Sequence, residues 1–164
     1  MKTFNRYLEY FLVTLMAVML ISVCWQVITR YFLEASSSFT DELARYVLIW
    51  IGMLGAAYAS GKNLHLAIDL FPSKLKGKSH DHLNIFINLL IIVFAVTTMI
   101  LGGLWLVYIT YSLGQVSAAM QIPLAYVYSI LPISGLLIVI YKIRDIILLL
   151  RKANSDQPSS LPSS

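Results

Sequence analysis

Four long apolar runs constrain this chain more than any other feature: approximately Tyr10 to Phe32, Leu43 to Ser60, Leu83 to Tyr111 and Leu124 to Tyr141. Each is long enough to cross a hydrocarbon core of about 30 Å, which takes about 20 helical residues. Strands of a membrane barrel would alternate apolar and polar residues over about ten positions. Runs such as INLLIIVFAV are instead apolar on every side, which leaves the helix, the element that satisfies its own backbone in lipid. Composition agrees. With 59% hydrophobic and 12% charged residues, the chain has too little polar surface to cover a soluble globule of 164 residues. The expected fold is therefore all-α, a single domain of four transmembrane helices over residues 1–152.

The first run follows Lys2 and Arg6 and so invites reading as a signal peptide, but it exceeds a usual h-region and no A-x-A site follows it. It is expected to be retained as a helix. Ile21 to Cys24 faintly resembles a lipoprotein processing box, yet Val23 stands where a small residue is required. The single cysteine, Cys24, cannot form an internal disulfide and reads as a small packing residue.

The cations divide unevenly between the two ends of these helices. Lys2, Arg6, Lys62, Lys74, Lys76, Lys78, Lys142, Arg144, Arg151 and Lys152 fall on one side; only Arg30 and Arg45 fall on the other. By the positive-inside rule both termini are expected in the cytoplasm, with two short loops facing the opposite side of the membrane. Inside-facing cations account for the net charge of +4 without a nucleic-acid partner.

Between the second and third runs, NLHLAIDLFPSKL (63–75) places Leu64, Ile68, Phe71 and Leu75 at helical spacing opposite Lys62, His65 and Asp69. This predicts a short amphipathic helix along the membrane surface, with the lysines beyond it meeting anionic lipid headgroups. The third run would span about 43 Å and must tilt or protrude. Within it Gly102 and Gly103 allow a close contact or a bend, while Asn84 and Asn88 offer interhelical hydrogen bonds. Pro132 removes a backbone donor inside the fourth run and predicts a kink. Pro123 suits that helix's first turn. Residues 153–164, rich in Ser and Pro, are expected to form a disordered tail.

Chemistry-bearing residues gather at the two ends of the second run. Asp41 and Glu42 suit the positive end of a helix dipole and so read either as capping groups or as an interface. Arg45 favours the interface reading, because Glu42 and Arg45 at i and i+3 can pair where the chain enters lipid. Trp50 lies deeper. Gly52, Ala56 and Ser60 recur every fourth residue beside Gly55 and Ala59, a pattern that permits close helix contact within the chain or with a partner. At the far end His65 and Asp69 can share a hydrogen bond at i and i+4. A zinc site drawing on His65, Asp69, His80 and His82 is the sharper alternative, but no group is apparent that would orient the ligands. No G-x-S-x-G, Walker or H-E-x-x-H sequence occurs, so an enzyme reading has neither nucleophile nor metal cradle. A self-sufficient ion-coupled transporter would carry a charged or broken helix at mid-membrane. The acids of this chain lie instead near helix ends or outside them, which fits an accessory subunit better than a stand-alone exporter.

RYF at 30–32, DELARYVLIW at 41–50, GAAYASGKNLHLAIDL at 55–70 and QIPLAYVYSILPISG at 121–135, in this order around four helices, resemble the small (Q-type) membrane subunit of TRAP transporters. These are the tripartite ATP-independent periplasmic importers of bacteria. The resemblance implies a non-enzymatic scaffold packed against a large membrane subunit that holds the solute and sodium sites, supplied by a soluble periplasmic binding protein. It implies no cofactor in this chain and a carboxylate-type anionic cargo. It also makes Arg30, Asp41, Glu42, Arg45, Trp50, Gly52, Gly55, Ala56, His65, Asp69 and Pro123 the candidate interface or motif residues. A free-standing structural or regulatory membrane protein is the alternative.

Overall fold

Residues 2–32, 38–62 and 78–155 are described by the computed structural model, and they form four helices long and apolar enough to span a membrane. Helix α1 is Lys2–Phe32 and α2 is Ser38–Gly61. Helix α3 runs through three consecutive segments: Lys78–Phe94 in α geometry, Ala95–Gly102 in π geometry and Gly103–Ser112 in α geometry again. Helix α4 is broken near its start into Leu124–Tyr128 and Ile130–Ser155. The proposed surface helix at 63–75, with His65 and Asp69, lies outside the described residues, as does the expected tail beyond Ser155, whereas residues 153–155, expected to be disordered, continue helix α4.

The helices extend beyond the apolar runs that announced them. Helix α1 takes in Asn5 and Glu9 because both find partners: Tyr141 donates its hydroxyl to Asn5 Oδ1 at 2.6 Å, and Tyr58 donates to Glu9 Oε2 at 3.1 Å. His80 and His82, which precede the expected third run, fall within α3.

Neighbouring contacts run α1 to α2, α2 to α4 and α4 to α3, so the helices form a row rather than a closed four-helix ring. Within residues 3–32 of α1, the positions not fully exposed are Asn5, Leu8, Leu12, Leu15, Met19, Ser22, Gln26 and Thr29. Their alternating three- and four-residue spacing is the seam of a coiled coil. One narrow stripe thus fixes α1 mainly to α2, with Asn5 and Leu8 also reaching α4, and most of the remaining surface of α1 is open. Leu8, Leu54 and Ile130 form one buried cluster, with Leu12, Ile49 and Met53 against it; Ala57, Ala95 and Ile138 form a second where α2, α3 and α4 meet.

The π segment changes which face of α3 is buried. Asn88 and Ala95 are buried seven residues apart, and Gly103 and Thr110 are buried seven apart, but Ala95 and Gly103 are separated by eight. One residue has in effect been inserted, which rotates the later half of α3 and brings Gly103 against α4. A Cβ on Gly103 would lie 2.9 Å from Pro132 Cδ, and one on Gly135 would lie 2.8 Å from Met99 Cβ. Of the adjacent glycines, Gly103 thus makes the close contact, whereas a Cβ on Gly102 would meet only the Thr97 carbonyl, at 3.8 Å.

The break in α4 has a local cause in Pro132. Without an N–H it cannot bond the Tyr128 carbonyl, and the next bond, Ile133 N to Ser129 O, is long at 3.4 Å. The interruption falls at Ser129, about one turn before the proline.

Candidate functional site

Charged side chains concentrate at the two ends of the row and leave its middle uncharged, where the polar residues are hydroxyls such as Thr14, Thr97 and Ser134 that donate back to their own helices. At the end that carries both termini, Lys62 Nζ sits 5.0 Å from the centre of the Tyr58 ring, which is itself bonded to Glu9. Gly61 lets the Tyr141 ring approach so closely that a Cβ there would lie 2.8 Å from it. Lys142 is buried and lies 3.7 Å from Asp145 one turn further on. These contacts tie α1, α2 and α4 together at one membrane surface.

The opposite end is organised by the first two turns of α2. Gln26 of α1 donates to Asp41 Oδ1 at 3.2 Å, and Arg45 pairs with Asp41 Oδ2 at 2.9 Å. The expected Glu42/Arg45 pair is therefore not the one formed. Arg45 reaches back one helical turn to Asp41, the i,i+4 partner, and Glu42 is drawn elsewhere. Its Oε2 accepts hydrogen bonds from Ser117 Oγ, from the Ala119 amide at 3.1 Å and from the Met120 amide at 3.2 Å. All three donors belong to the connection between α3 and α4. The two acids act across the row of helices, one toward α1 and the other toward that connection.

Two turns deeper on α2, the Trp50 indole donates to the Val127 carbonyl at 3.2 Å, holding the short first segment of α4. Pro123 precedes that segment with φ −58° and ψ 122°, outside the helix rather than in its first turn, and it forms an isolated antiparallel bridge with Val116. Arg30 is exposed in the last turn of α1, where a cation suits the helix's negative end.

The small residues of α2 separate into two groups. Ala57 and Ser60 are buried within the chain. Gly52 and Ala56 are exposed, and no atom lies within 4 Å of a Cβ built on Gly52 or Gly55. With Arg45 and Leu48 they form an open stripe along the face of α2 that neither α1 nor α4 covers.

Sequence reasoning missed Gln26, Ser117, Tyr58 and Tyr141. Gln26 was accessible as a lone amide in an apolar helix, and Asn5 and Glu9, one turn apart, mark the face that meets the tyrosines. Ser117 carries no such signal, since its role depends on a carboxylate 75 positions earlier.

Four apolar helices with polar ties at both ends define a multi-pass membrane protein. Residues 19–152 match the family described as tripartite ATP-independent periplasmic transporters, DctQ component, and the chain belongs to that family. It is similar to a Haemophilus influenzae protein named as a TRAP transporter small permease, with 26% identity over 134 residues, 82% of this chain and 81% of the relative. It is also 31% identical over 101 residues to the sialic acid TRAP transporter small permease protein SiaQ of Vibrio cholerae, 62% of this chain and 58% of that one. A third relative is the isethionate TRAP transporter permease protein DctMQ of Oleidesulfovibrio alaskensis, 25% identical over 142 residues, which are 83% of this chain but 22% of the longer one. The chain is thus a TRAP small permease subunit in the bacterial inner membrane, a transporter component and not an enzyme. Small subunits of this family work with a large permease subunit and a periplasmic binding protein.

Proposed function

We propose that this chain is the scaffold of a sodium-driven, binding-protein-dependent importer of an anionic solute, and that it packs against the large membrane subunit through the open face of α2. The observation that carries this reading is the pairing of an uncharged middle with an open small-residue stripe. Charged groups sit at the helix ends, where they join helices to one another, while Gly52 and Ala56 leave backbone accessible at mid-membrane. Small residues at such a face allow a second helix to approach closely, and van der Waals contact is a principal source of association in lipid. The long DctMQ relative supports a large partner, because this chain aligns with only 22% of it. Solute and sodium sites then belong to the partner, and this chain needs no cofactor of its own.

The solute class follows from the family resemblance and from the relatives' names. Sialic acid is a carboxylate and isethionate a sulfonate, so an anion is the chemistry they share, with a carboxylate as this chain's expected cargo. Reconstitution tests the reading. Proteoliposomes holding this chain alone, with binding protein and ligand supplied, are expected to show no sodium-driven uptake; adding the large subunit should establish it. Uptake by the large subunit without this chain would overturn the scaffold role.

The cation distribution supports cytoplasmic termini. A cysteine placed between Lys74 and Lys78 is expected to resist an impermeant thiol reagent applied to whole cells, while one at Ala118 should react. Labelling in the reverse sense would invert the topology.

A further inference from the structure

We propose that Glu42 is a positioning residue for the connection at 113–123: its carboxylate, rather than the connection's own sequence, sets that segment's shape and with it the direction in which α4 returns into the membrane. The segment contains no charge, and its conformation is not one that its residues favour unaided. Gly114 adopts φ +60° and Gln121 adopts φ +55°. Glycine takes the left-handed region freely, but glutamine does not, and such a residue persists only where its surroundings fix it.

What surrounds it is a tight turn closed around one carboxylate oxygen. The Gln121 amide donates to the Ser117 carbonyl at 3.1 Å, and the Ser117 amide donates to the Ile122 carbonyl at 2.9 Å. Inside this turn, Ser117 Oγ accepts from the Met120 amide at 3.2 Å and donates to Glu42 Oε2. The Ala119 and Met120 amides point at the same oxygen. Successive backbone N–H groups that converge in a turn form an anion-binding concavity, and here the anion is a side chain of α2. Hydrogen bonds to an ionised acceptor are about twice as strong as neutral ones, and Ser117, the hydroxyl donor, is itself 2% exposed.

The turn leads directly into α4. The Leu124 amide donates to the Gln115 carbonyl at 3.0 Å, and the following segment is held by the Trp50 indole at Val127. Glu42 and Trp50 are two helical turns apart on α2, so they grip the connection and the start of α4 at two points along one line. Ser129 and Pro132 weaken the helix just beyond, so the direction of the Leu124–Tyr128 segment depends on this grip. Asp41 is the natural control. It neighbours Glu42 and carries the same charge, but its partners are Gln26 and Arg45.

Hydrogen exchange of the full purified chain in lipid nanodiscs, read by mass spectrometry over residues 113–123, tests the assignment. Glu42→Gln keeps size and one oxygen acceptor but removes the charge. It is expected to speed exchange at the Ala119 and Met120 amides by about tenfold, the loss of roughly one charge-assisted hydrogen bond. Asp41→Asn should leave those amides as they are in the unmodified chain. Unchanged exchange in Glu42→Gln, or equal acceleration in Asp41→Asn, would overturn the proposal. If Glu42→Gln loses protection throughout the four helices, Glu42→Asp carries the test, since it keeps the charge but withdraws the carboxylate from the turn by one methylene. A rise confined to 113–123 then upholds the assignment, and no rise overturns it.

Discussion

Gly135→Leu is expected to abolish the packed contact between α3 and α4, and Gly135→Ala to weaken it measurably. A Cβ at this position would lie 2.8 Å from Met99 Cβ, 3.1 Å from Ile100 Cγ1 and 3.4 Å from the Ala95 carbonyl oxygen. None of these atoms is the free end of a flexible side chain, so relief requires α3 itself to move. All three belong to the π segment, whose inserted residue set their position. Alanine gains up to about 1 kcal/mol over glycine from helix propensity. Overpacking costs about 1 to 3 kcal/mol and is the larger effect. The purified alanine variant should therefore unfold at a lower SDS fraction than the unmodified chain, and the leucine variant should show no cooperative transition. A leucine variant as stable as the original would mean that α3 and α4 do not approach through Gly135.

That contact also marks the limit of what the sequence discloses. Four spanning helices were legible because a long, uninterrupted apolar run fits little besides a membrane crossing, and the Pro132 break was legible because a missing donor acts locally. The π segment was not. AVTTMILG contains no residue that demands it, and the inserted residue is visible only as the change from seven to eight in the spacing of buried positions on α3. Register against a neighbouring helix set it, as happens when tertiary contact overrides local preference. For the acids, the sequence left Asp41 and Glu42 between capping groups and an interface, and it paired Glu42 with the nearest cation on the same helix. The donors it actually meets are mainly backbone amides of an uncharged connection, which composition and charge patterns do not register. The small-residue stripe lies between these cases. Its spacing announced a close helix contact, and the structure was needed to divide it into buried Ser60 and exposed Gly52 and Ala56, with the buried Ala57 outside the spacing altogether.

Gly52→Leu should produce the opposite pattern to Gly135→Leu, leaving the isolated chain intact while releasing its large partner. Beyond its own helix backbone and chain neighbours, no atom lies within 4 Å of a Cβ at the exposed Gly52, so a leucine there has room to point outward, and the substitution improves helix propensity by about 1 kcal/mol. In SDS unfolding the purified variant is expected to be at least as stable as the original. Ala56→Leu, one turn further along the same exposed face, should behave likewise. If the large subunit packs on this face as proposed, the added side chain stands between two backbones that the small residues had allowed to meet. Since the attraction between helices in lipid is largely short-range packing, separating them removes most of it. Affinity purification in mild detergent through a tag on this chain should then recover little of the large subunit from either variant, and sodium-driven uptake should fall with it. The joint outcome is what discriminates. Loss of the partner with loss of chain stability would place this face in internal packing, whereas full recovery of a stable complex from both variants would turn it toward lipid and move the contact to the open surface of α1.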